Sequence, residues 1–133
     1  MKKFNPNTTQ LARAVQAWQI LVGKAMTRQT ITYLDLSRLM YKKEAQGVLG
    51  DVLASILFYC NDNDLPILTV IVVGQNSGKP GPGALRDPAN MHSTTLDIDE
   101  ERERVYATDW YDIYPPAEAE LISANGRLAS APP

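Results

Sequence analysis

The chain has 133 residues, 44% of them hydrophobic, which suits one domain with one ordinary core. It has one cysteine (Cys60) and one histidine (His92), too few for a disulfide, a zinc cluster or a Cys/His nucleophile pair. The net charge of −2 argues against a strongly electrostatic polyanion binder.

The distribution of charge says more than its sum. Residues 1–50 hold eight basic and two acidic residues (+6), and residues 51–133 hold five and thirteen (−8). Such a dipolar chain suits a polyanion on its basic half, or a meeting of the two halves within the fold or across a homodimer. No apolar run reaches the roughly 18 residues of a membrane-spanning helix. The opening Met-Lys-Lys-Phe-Asn-Pro-Asn has no apolar stretch behind its lysines, so no secretory signal and a cytoplasmic location are expected.

In chain order, residues 1–8 read as an arm with a turn at Asn5-Pro6-Asn7. Thr8 or Thr9 can cap a helix over about 9–25, with Leu11, Val15, Trp18, Val22 and Ala25 on one face and Arg13 and Lys24 solvated. Thr30-Ile31-Thr32 is a short edge strand. Thr32 and Asp35 give a start signal close to a capping box for a short helix over about 33–40. Tyr33, Leu36, Leu39 and Met40 share its apolar face.

After a turn at 41–44, a third helix is predicted over 45–61, with Leu49, Val52, Leu53, Ile56, Leu57 and Cys60 on a wide apolar face. Cys60 there reads as a small buried hydrophobe. Gly47 and Gly50 weaken its first turns and point to close packing or close approach of a partner. Asn61-Asp62-Asn63-Asp64 lacks the glycine turn and distal glutamate of a calcium loop. The near-continuous apolar run 67–73 reads as the strongest strand of the chain.

Residues 74–83, rich in Gly and Pro, read as a rigid wing or loop presenting Lys79, with hairpin-turn chemistry at Asn76-Ser77-Gly78. A phosphate loop is excluded by the spacing, by Pro80 in place of a Ser/Thr, and by the lack of a following helix start. Residues 84–96 are irregular and include His92. Asp97 or Asp99 can cap a charged, solvated last helix through about Ala107. Val105, Tyr106, Trp110, Tyr111, Ile113 and Tyr114 form an aromatic cluster that seals the core or, if exposed, meets a partner. Residues 117–133 read as a tail, with a short helix at 117–124 and disorder beyond.

Together these elements predict an α+β, winged helix-turn-helix-like single domain over 9–116, a helical bundle with a small sheet and wing. The order resembles the winged-helix domain of O6-alkylguanine-DNA alkyltransferases and alkyltransferase-like proteins over roughly 9–83. The resemblance rests on I-T-Y-x-x-L at 31–36, Val48-Leu49-Gly50, Pro66, the apolar strand and the glycine-bearing turn. Where that family has Pro-Cys-His-Arg-Val, this chain has Pro66-Ile67-Leu68-Thr69-Val70, so alkyl transfer is not implied. The tryptophan that alkyltransferase-like proteins carry there is also missing. L-P-x-L-T-x-x-V-V at 65–73 and G-x-P-G-x-G at 78–83 are similar to a group of small bacterial and mobile-element proteins that bring no known activity.

No catalytic constellation and no cofactor is predicted. Two readings stay open. In the first, the third helix enters a groove of duplex DNA, Gln46 reads a base edge, and Arg28, Arg38, Lys42, Lys43 and Lys79 hold phosphates. In the second, the domain is a protein-interaction module, an adaptor or inhibitor, that uses the acidic helix and Trp110, Tyr111 and Tyr114.

Overall fold

Thr9 starts the first helix by accepting the Ala12 amide on its hydroxyl at 3.2 Å. The helix, α1 (Gln10–Met26), buries Ala14, Ala17, Trp18, Leu21, Val22 and Ala25. These coordinates are a computed structural model that describes residues 1–44, 48–79 and 97–121. After α1 the chain turns sharply at Arg28, whose φ is 55°, and enters the short strand β1 (Ile31–Thr32). Thr32 is both the end of β1 and the cap of α2 (Tyr33–Tyr41), where its hydroxyl accepts the Asp35 amide at 3.0 Å. Asp35 in the first turn complements the helix dipole, as its position in the sequence predicts.

Helix α3 (Leu49–Asp62) is the centre of the molecule. Ten of its residues are buried, against α1 on one side and the 67–73 segment on another, so its apolar surface is wider than one stripe. It starts at Leu49 rather than 45, and residues 45–47 lie outside the described residues. A Cβ at Gly50 would meet nothing within 4 Å among the described residues, so packing against them does not explain this glycine.

The segment 67–73 is not the long strand its composition predicts. Leu68–Ile71 is a 3-10 turn, and only Val72–Val73 is extended, as β2. Every residue from Ile67 to Val73 is buried, Leu68–Ile71 against α1, α3 and the charged helix at 98–107, and Val72–Val73 against β1 and α2. A continuous apolar run signals burial on all sides without specifying strand or helix. Among the described residues its neighbours are mostly helices, with no ladder to join except at the very end. β2 pairs with β1 in parallel, Ile31 opposite Val72 and Thr32 opposite Val73. A parallel pair needs a crossover, and α2 and α3 supply it.

Past β2 a tight turn is closed by the Gly74 amide on the Lys79 carbonyl at 2.9 Å. Gly78 takes a φ of 64° there, which favours glycine. The remainder of the expected wing, from Pro80, lies outside the described residues, as do 84–96 with His92 and the tail from 122. Asp97 caps α4 (Ile98–Ala107) through the Glu100 amide, and a 3-10 turn at Trp110–Asp112 follows. The described residues thus form a small, mostly helical α+β domain with one two-stranded parallel sheet.

α4 is not simply a solvated charged face. Glu101 is 5% exposed; one of its carboxylate oxygens accepts the Ile67 amide at 2.7 Å and the other meets Arg104 at 3.0 Å. This acid pins α4 to the start of the buried 67–73 segment.

Candidate functional site

Arg13 departs most from its expected environment. It is 5% exposed, on a helix face predicted to be solvated. Its guanidinium donates to the Met40 carbonyl at 2.6 Å, to the Gln16 side chain at 2.9 Å and to the Asn5 carbonyl at 3.0 Å. It also lies 4.4 Å from the centre of the Tyr41 ring and 5.3 Å from that of Phe4. Carbonyls and ring faces offset desolvation of the charge without cancelling it. Burial raises the Tyr41 phenol above its ordinary value, so this neighbour stays neutral at pH 7 despite the guanidinium beside it.

A cleft of about 800 Å³ opens above Arg13, lined by Lys2, Lys3, Phe4, Tyr41, Lys42 and Lys43 among others. Among the described residues no carboxylate lines it. The lysines come from two places. Lys2 and Lys3 are on the arm, which Arg13 fastens through Asn5. Lys42 and Lys43 follow α2, where Lys42 ends the helix with a φ of 63° and its amide on the Arg38 carbonyl. The Lys42 ammonium rests on the Leu39 carbonyl at 3.2 Å and Lys43 is exposed.

The structure therefore divides the predicted phosphate-binding set. Lys42 and Lys43 meet in the cleft. Arg38 pairs with Glu44 at 3.2 Å. Arg28 pairs with Glu103 of α4 at 2.7 Å, with its guanidinium 5.0 Å from the Tyr106 ring centre. Lys79 lies beside Asp97, Asp99 and Arg102 in a separate depression of about 300 Å³. Arg28 and Lys79 thus sit against the acidic helix and not beside Lys42. Gln46 lies outside the described residues.

The aromatic set divides too. Trp110 is 1% exposed, donates its indole N–H to the Val105 carbonyl at 2.7 Å and meets Trp18 edge-on at 5.7 Å. It seals the core, which corrects its assignment as a partner-contact residue. Tyr111 and Tyr114 are exposed. Cys60 is fully buried and desolvation pushes its thiol up to about 12, so it is no nucleophile at neutral pH. Among the described residues no group of acids, Cys and His is arranged to hold a metal, and no helix is long and apolar enough to cross a membrane.

Sequence reasoning missed Arg13, Lys2, Lys3 and Phe4. A signal for Arg13 existed: it stands four residues before Ala17 and eight before Leu21, on a stripe the structure buries. The arm carried no periodic signal at all. Compared with known proteins, no family model, curated protein or solved structure matches the chain, and the likeness to alkyltransferases rests on its short motifs alone.

Proposed function

We propose that this chain is a non-enzymatic, duplex-DNA-binding domain of the winged-helix kind. The observation that carries this reading is the convergence of Lys2, Lys3, Lys42 and Lys43 above the buried Arg13 charge, in a cleft free of carboxylates among the described residues. Cations gathered this way create a local positive field despite a net charge of −2. Lys42 and Lys43 immediately precede the path into α3, so a phosphate backbone held by them lies near the start of that helix. The exposed Val48 and the open space at Gly50 leave that end of α3 uncovered by described residues. Arg28 and Lys79 are left out of the contact set because Arg28 is paired with Glu103 and Lys79 lies beside Asp97 and Asp99.

A salt titration of duplex binding tests the reading. Binding that weakens steeply with added salt supports it; no binding at low salt, or a slope near zero, overturns it.

One observation favours the second reading, a protein-interaction module. Tyr111 and Tyr114, next to the acidic α4, are 70% and 90% exposed. Two tyrosines beside a negative surface suit a basic protein partner. Failure of every duplex in the titration leaves this reading in place.

A further inference from the structure

The arm separates two clefts. Lys2, Lys3 and Phe4 line the cationic one above Arg13, and the same three residues line a second cleft of about 350 Å³ on the arm's other side. That second cleft has Ala12, Val15, Pro116 and Ala117 in its walls, with Glu118 and Thr8 as polar members beside Lys2 and Lys3. Both volumes lie in the range of small-ligand sites. Phe4, at the divide, has Arg13 on its ring face at 5.3 Å yet remains 48% exposed, so the rest of the ring is open.

We propose that the paired clefts hold an unpaired nucleic-acid strand, with phosphates in the cationic cleft and a base stacked on Phe4 and entering the apolar one. The inference deepens the nucleic-acid reading and rests on it. Proteins that hold single strands combine a cationic groove along the backbone with an aromatic platform for bases, and these two clefts place both on one arm. Lys2 and Lys3 serve both clefts, so the strand is oriented by Lys42 and Lys43, which line the first cleft alone, against the Glu118 carboxylate and the apolar wall of the second. A blunt duplex keeps its bases paired and has no unpaired base to place on Phe4 or in the apolar cleft.

The test is fluorescence anisotropy with two labelled probes, a blunt DNA duplex and the same duplex carrying a short single-stranded thymidine tail. The tail strengthens binding by roughly tenfold, the scale of one base–aromatic stack. Phe4→Ala abolishes that gain, read as the ratio of tailed to blunt affinity within the variant, and Phe4→Trp retains it. Phe4 is half exposed and outside the core, so both variants fold, which an unchanged melting temperature verifies. Equal affinity for the two probes overturns the inference and leaves duplex binding standing, as does a Phe4→Ala loss that is the same on both. Binding of neither probe overturns the nucleic-acid reading along with it.

Discussion

Arg13 joins the arm, α1 and the end of α2 through one side chain. Its partners are two backbone carbonyls and an amide oxygen, and two aromatic rings flank the charge. Arg13→Met keeps the aliphatic stem and removes the donors. The Met40 carbonyl then loses its buried partner and the arm loses its fastening. The expected cost is about 2 kcal/mol, read as a lower denaturation midpoint in urea. Proteolysis of the arm should become faster in the same variant. Cys60 shows a different single-residue effect. The fold favours the neutral thiol, so its contribution to stability is whole below the ordinary thiol value of 9.0 and is lost as pH rises through about 12. Burial raises the phenols of Tyr41, Tyr59 and Tyr106 as well, with the same sign. Melting temperature should therefore fall on the alkaline side of pH 9.0, and less steeply in Cys60→Ala than in the native chain.

The elements were legible where a local rule governed them. The hydroxyl caps at Thr9 and Thr32, the Asp97 cap and the ends of α1, α2 and α4 follow from side chains a few residues from the bonds they make. The 67–73 segment was not legible, because its conformation is decided by what surrounds it. Its apolar run announced burial, and only the helices around it decide that four residues coil into a 3-10 turn before two extend. Glu101 was illegible for the same reason: among six charged residues in a row, one is chosen by an amide 34 positions away. Glu101→Ala leaves the Ile67 N–H buried without an acceptor, at a cost of about 2 kcal/mol. Glu101→Gln keeps an oxygen for that amide and should recover most of the loss. Urea denaturation of the two variants separates the hydrogen bond from the charge. If both lose equally, the Ile67 bond is not what pins α4.

At the scale of the molecule, the two halves of opposite charge neither neutralise each other fully nor stay apart. Arg28 reaches Glu103 across the fold, so part of the basic half is consumed internally, and Lys79, in the acidic half, sits beside Asp97 and Asp99. Both partners of the Arg28 pair are more than half exposed, so this pair adds little stability and is weakened by salt. Lys2, Lys3, Lys42 and Lys43 are left as a group, and that number fixes the expected salt dependence. Four phosphate contacts give a slope of log affinity against log salt of roughly −3 to −4 on duplex DNA. Replacing Lys42 with Gly and Lys43 with Ala should bring the slope about two units closer to zero. The glycine is chosen because Lys42 has a φ of 63°, where glycine relieves strain, so weaker binding in this variant is not a consequence of lost stability. Arg28→Ala is the internal comparison: with its charge already answered by Glu103, the slope should stay where it was. A slope that moves with Arg28 and not with Lys42 and Lys43 would place the nucleic acid against α4 and away from the arm.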